Sequence, residues 1–127
     1  MELNEQGKLY RKRTNIPLAD GGTHYKWGDD CDGWVLVDEK SLSVKVERMW
    51  PNTSEQKHYH EKAKQFFFIL KGIAVFEVQQ ERISVKAGDG IYIEAGKEHR
   101  ILNEEDEYLE FTVTSQPSTN GDRINIE

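Results

Sequence analysis

An all-β fold, an antiparallel sandwich or barrel, is predicted by three features of this 127-residue sequence. Short strand-like runs follow one another from Gly33 to Thr114, turn residues separate them, and no segment carries a helical apolar stripe over three turns. The length suits one domain with a single core.

Taken in order, residues 1–32 lack sustained periodicity and hold the turn cluster Ala19-Asp20-Gly21-Gly22. They read as an extended N-terminal arm packing on a barrel formed by residues 33–127, with Trp27 and Trp34 as anchors. The first strand is expected over 33–37 and the second over 42–49. In the second, Leu42, Val44 and Val46 alternate with Ser43, Lys45 and Glu47, which is the period of a half-buried strand with the apolar set inward. Continued, that alternation puts Arg48 inside, so either Arg48 lies in a polar pocket or a bulge at Trp50-Pro51 turns it outward. Further strands are expected over 56–60, 65–71, 73–78, 81–85, 90–93, 99–103 and 108–114, divided by Lys71-Gly72, Gln79-Gln80, Ala87-Gly88-Asp89-Gly90 and Ala95-Gly96-Lys97. The 65–71 run is apolar on both faces: Gln65, Phe67 and Ile69 on one, Phe66, Phe68 and Leu70 on the other. If the first lines the interior, the second needs cover from the arm or a second copy, and a homodimer is predicted. The tail 115–127 reads as a closing loop and an edge strand.

Composition narrows the function. A net charge of −6 and a pI near 5.3 argue against nucleic-acid or anionic-membrane partners, leaving small molecules. The single cysteine, Cys31, forms no internal disulfide, which fits a reducing, cytoplasmic setting. No apolar run is long enough for a membrane helix, and the first residues lack the apolar core of a secretory signal.

The stretch richest in chemistry is 52–72. His58 and His60 are two residues apart, so on a strand they share a face, and imidazole pairs of this kind hold transition metals. A third of the four histidines, His99, lies in a second patterned stretch. Asn52, five residues, His58-Tyr59-His60, four residues, Gln65, six residues and Gly72 resemble the first motif of the cupin superfamily. Gly88, five residues, Glu94-Ala95-Gly96, two residues, His99, three residues and Asn103 resemble the second. The resemblance implies a double-stranded β-helix (jelly-roll) barrel and one divalent transition metal held by His58, His60, Gln65 and His99. Zn, Ni, Fe, Mn, Co and Cu are all compatible with such a set.

Where cupins usually carry a glutamate, this chain has Gln65, a neutral ligand that would leave a bound ion its full charge. Gln65 is either a ligand or a hydrogen-bonding neighbour of the ligands. Arg48, Phe67, Tyr92 and Glu110 are the pocket candidates, their faces depending on one residue of register. His24 reads as structural or solvated and Cys31 as a small packed residue; Arg123 either folds back to fix an anion or, the favoured reading, binds an acidic loop. The Gln65 substitution resembles small cupins that act on uronates and those described as sugar-phosphate isomerase-like. It implies a metal-dependent isomerase or lyase acting on a small carbohydrate or keto acid. The alternatives are an Fe(II) dioxygenase and a non-catalytic ligand-binding or sensing module.

Overall fold

The computed structural model describes residues 23–126, which form twelve strands and, among the described residues, no helix. The early strands are β1 (Thr23–Trp27), β2 (Cys31–Asp38), β3 (Ser43–Met49), β4 (Thr53–Ser54), β5 (His58–His60) and β6 (Lys64–Lys71). The later ones are β7 (Ile73–Val78), β8 (Glu81–Lys86), β9 (Gly90–Ile93), β10 (His99–Asn103), β11 (Leu109–Gln116) and β12 (Arg123–Asn125). One sheet has the order β1-β2-β3-β11-β6-β9; the other runs β12-β5-β10-β7-β8, with β4 paired to β10. Every pairing is antiparallel, and the two sheets make the jelly-roll barrel that the motifs implied.

The core lies between the sheets because each strand sends alternate residues inward. Phe67, Ile69, Phe111 and Val113 come from one sheet and Ala74, Phe76, Val85 and Ile101 from the other. Phe67 meets Phe76 edge-on at 5.0 Å and lies 5.8 Å from Phe111 between ring centroids. Such pairs add about 0.5–1.5 kcal/mol each beyond the area they bury. Buried Cys31 packs in this core, and Trp27 closes one side of it, edge-on to Phe111. Trp34 is buried on the opposite face of its sheet, across from Val46.

One turn position and one strand position constrain the residue they can hold. Asn52 has φ of 58°, the left-handed region that asparagine tolerates better than most side chains. Gly33 leaves the space in which the Tyr25 ring lies: a Cβ there would sit 2.2 Å from Tyr25 Cζ.

Two expectations need restating. Residues 23–32 of the expected arm form β1 and the start of β2, a hairpin that is part of the sheet; residues 1–22 lie outside the described residues. The inward face of β3 is also the reverse of that read from the alternation. Lys45, Glu47 and Met49 face the interior, while Val46 and Arg48 face out opposite Trp34 and Asp32, and Leu42 is exposed before the strand begins. The outer face of this sheet also buries apolar groups, so alternation alone could not say which side was the barrel's inside.

On β6 the expected split holds: Gln65, Phe67 and Ile69 are buried, whereas Phe66, Phe68 and Leu70 are 44%, 37% and 44% exposed. Cover for that outer face from residues 1–22 lies outside the described residues.

Candidate functional site

β5 is three residues long, and its alternation sends both His58 and His60 inward with Tyr59 between them. β10 runs antiparallel to it with His99 directly opposite His58. The ring centroids of His58 and His99 lie 4.4 Å apart, those of His58 and His60 4.9 Å, and those of His60 and His99 5.8 Å. The three side chains are buried, and one nitrogen from each lies within 4.8 Å of the other two, so these residues could hold a metal ion.

The tautomers follow from the hydrogen bonds. Nδ1 of His58 meets the Gln56 carbonyl at 2.9 Å, Nδ1 of His60 the Asp122 carbonyl at 2.9 Å, and Nδ1 of His99 the Lys97 carbonyl at 2.8 Å. A carbonyl only accepts, so each Nδ1 is the N–H donor, and each neutral ring keeps a bare lone pair on Nε2. His99 Nε2 is buried and has no hydrogen-bond partner. Burial pushes the His58 pKa down to about 3, with the neighbouring His99 adding to it, and burial likewise takes His99 to about 4. Burial lowers His60 too. The imidazoles are therefore neutral at physiological pH, the state a metal needs.

Gln65 shares the cavity wall with His58 and His60. Its Nε2 donates to Ser115 Oγ at 3.1 Å, which leaves Oε1 buried and without a partner. Buried acceptors are normally satisfied. Two orphaned acceptors, His99 Nε2 and Gln65 Oε1, beside two more bare imidazole nitrogens, suit a cation: these residues fit a transition metal.

The tail helps orient the site. β12 pairs with β5, and the Asp122 carbonyl that receives His60 sits just before it. The Asp122 carboxylate accepts the backbone N–H groups of Glu61, Lys62 and Ala63 at 2.9, 3.0 and 2.9 Å, tying the tail to the turn after β5.

Next to the histidines is a cavity of about 220 Å³ whose wall includes Tyr25, Lys45, Glu47, Glu55, Phe67 and Arg123. Tyr25 lies over Gly33 and donates its hydroxyl to Glu47 Oε2. Burial pushes both groups up, the tyrosine further because Glu47 is its neighbour. Glu55 accepts the Ile101 N–H at 3.2 Å, and burial raises its pKa to about 8 against the pull of Arg123, 3.7 Å away. The site thus joins a metal-fitting cluster to two buried carboxyl groups whose pKa values are raised, Glu55 to about 8.

Of the pocket residues expected from sequence, Phe67 lines this cavity. The structure does not bring Arg48, Glu110 and Tyr92 to it. Arg48 pairs with Glu110 at 3.3 Å on the outer face, its guanidinium 5.4 Å from the Trp34 ring and 4.7 Å from that of Tyr108. Tyr92 is 56% exposed beside Phe66. The cause is register: all three stand one residue from inward positions, next to Glu47, Phe111 and Ile93. Arg123 does bind an acidic residue, Glu55, but does so in the cavity wall. His24, as expected, has a structural partner, Asp32, at 2.7 Å.

Sequence reasoning missed Tyr25, Lys45, Glu47 and Glu55. Taking Met49 as inward would have placed Glu47 and Lys45 inside by period 2. Tyr25 left no signal of its own; only the small residue beneath its ring, Gly33, marks it.

Known proteins agree with the fold. Residues 45–115 match the Cupin domain family. The chain is 46% identical over 48 residues to the uncharacterized HTH-type transcriptional regulator YdeC of Bacillus subtilis; the match covers 38% of this chain and 16% of that protein's length. A double-stranded β-helix protein from Klebsiella pneumoniae superposes with a TM-score of 0.67 at 18% identity, covering 93% of this chain and 90% of that one. Streptomyces PAC13 with uridine does so with a TM-score of 0.72 at 15% identity over 84% and 86%. The family match spans more than half of the sequence, and the chain belongs to the Cupin domain family.

Proposed function

We propose that this chain is a metal-dependent enzyme of isomerase or lyase type that acts on a small carbohydrate or keto acid. In this reading His58, His60, His99 and Gln65 hold one divalent transition metal. The observation that carries it is the set of unsatisfied acceptors, with His99 Nε2 and Gln65 Oε1 buried and partnerless beside two further imidazoles. A bound divalent ion supplies Lewis-acid polarisation of a substrate oxygen. The chain's own residues supply the rest. Glu47 is the proton carrier, its carboxyl held by the Tyr25 hydroxyl so that one oxygen is engaged and the other is left for substrate. Burial raises its pKa, the direction in which a general acid–base carboxyl is tuned. Phe67 and Trp27 form apolar wall and exclude water.

A second reading is favoured by one observation, the 46% identity to part of a transcriptional regulator: a small-ligand sensor using the same pocket without turnover. The outer face bearing Phe66, Phe68, Leu70 and Tyr92 is proposed to pair with a second copy, and a monomer mass in light scattering at micromolar concentration would remove that assignment. A cytoplasmic location accords with the lone cysteine.

The test is elemental analysis of wild type and His60→Ala, followed by a screen of metal-loaded protein against uronates, keto sugars and sugar phosphates. Metal in wild type, its loss in the variant, and turnover of one class support the enzyme. Thermal stabilisation by a ligand that is recovered unchanged supports the sensor. Oxygen consumption with the iron-loaded protein would replace both with a dioxygenase.

A further inference from the structure

We infer that the cavity takes a small molecule carrying a carboxylate, and that Lys45 and Arg123 are the residues that recognise it. The inference rests on the metal-dependent reading above and adds the substrate's charge to it.

Lys45 lies on β3 between Val35 and Val113, at an inward position where an apolar residue would ordinarily stand. It lines the cavity, and among the described residues its ammonium has no hydrogen bond or ion pair. Its Nζ lies 5.5 Å from the centroid of the Tyr25 ring, and its charge also pulls down the neighbouring Glu47 carboxyl. A lysine turned into a partly closed pocket loses hydration that only an anion returns well. Arg123, opposite His60 on β12, reaches the same cavity. Its Nε is committed to Asn125 Oδ1 at 2.8 Å, but its terminal nitrogens are held loosely, 3.7 Å from Glu55 and 3.5 Å from the Gln56 carbonyl. The guanidinium fork therefore has donors left to offer a carboxylate.

The plain alternative is that these cations merely balance Glu47 and Glu55. For Lys45 the contacts argue against it: Glu47 takes the Tyr25 hydroxyl, Glu55 takes the Ile101 N–H, and Lys45 makes an ion pair with neither, acting on Glu47 only through its charge. Arg123 does pair with Glu55, at 3.7 Å, and keeps donors beyond that pair. Burial also biases both carboxyl groups toward their neutral form, so they offset the cations only in part. The two acids do limit the guest. A phosphate dianion would meet two carboxyl groups in the wall, whereas a carboxylate brings one negative charge. At about 220 Å³ the cavity lies below the usual range for drug-sized ligands, which restricts the guest to the size of a single sugar acid or smaller.

The experiment titrates protein loaded with Zn²⁺, its metal content verified, by calorimetry with D-galacturonate and D-glycerate. D-galactose, glycerol and D-galactose 6-phosphate are the matched controls. The expected result is that at least one acid binds tenfold or more tightly than its neutral counterpart and the phosphate. That preference should fall at least tenfold in Lys45→Met and in Arg123→Gln while metal content is unchanged. Lys45→Met breaks no hydrogen bond, so it tests the idea even if Arg123→Gln disturbs the tail. Three results overturn the inference: no acid preference, preference for the phosphate, or undiminished acid binding in Lys45→Met, which would mean the metal alone captures the anion. Wild-type protein that takes up no metal is a different failure, that of the function proposed above.

Discussion

Metal affinity at this site should be unusually insensitive to acid. For three ordinary imidazoles with pKa of about 6.5, lowering the pH from about 7 to 5.5 protonates every ligand and weakens binding several hundredfold, about sixfold to tenfold per histidine. Here His58 is at about 3 and His99 at about 4, so neither gains an appreciable proton over that interval. Only His60, which is lowered as well, can contribute, and its share is under about tenfold. Affinity for Zn²⁺ or Ni²⁺, measured by competition with a chromophoric chelator at each pH, should thus fall by less than about tenfold between pH 7 and 5.5. The sign follows from linkage: a depressed folded-state pKa keeps the ligand-ready neutral form as pH drops, and losses begin only as pH approaches the folded values. A drop of a hundredfold or more would show that the imidazoles titrate normally and that the buried, carbonyl-tethered arrangement is wrong.

Other perturbations test the supporting structure. Gly33→Ala puts a methyl group 2.2 Å from Tyr25 Cζ, displacing the ring and its bond to Glu47; urea denaturation should show a loss of at least about 2 kcal/mol, and an effect under about 0.5 kcal/mol would contradict the packing. Asp122→Ala frees the three N–H groups after β5 and loosens the carbonyl that orients His60, so metal affinity should fall about tenfold although Asp122 touches no metal; unchanged affinity would separate the tail from the site. Glu55, raised to about 8 by burial, contributes stability below its unfolded value of about 4.5 that is lost as pH rises through 8. Glu55→Gln should therefore melt higher relative to wild type at pH 9 than at pH 5, and a pH-independent difference would refute the shift.

Much of the barrel was legible because its local signals agree. The 73–78 and 81–85 runs appear as β7 and β8, separated at Gln79-Gln80 as the turn chemistry predicts. His58, His60 and His99 were readable for the same reason: a strand of period 2 and two spaced motifs leave little freedom in where those rings point. Asn103, placed only by the second motif, proves to be a structural clamp, its Nδ2 donating to the carbonyls of Met49, Trp50 and Glu107. The cavity wall was less legible, since it depends on which face of a two-sided apolar sheet turns inward. Val46 is buried outside and Lys45 lines the inside, the opposite of what hydrophobicity suggests. A polar interior is a property of the site that local propensity does not encode. Tyr25 and Arg123 reach the cavity from opposite ends of the described chain, and only tertiary pairing reveals their meeting.

Diffraction from metal-loaded crystals, recorded at the absorption edge of the added ion, tests the central claim most directly. The account predicts one anomalous peak per chain, bonded to Nε2 of His58, His60 and His99 and to Oε1 of Gln65, with each Nδ1 still on its backbone carbonyl. A peak held instead by Glu55 or Glu47, or no peak between β5 and β10, would contradict it.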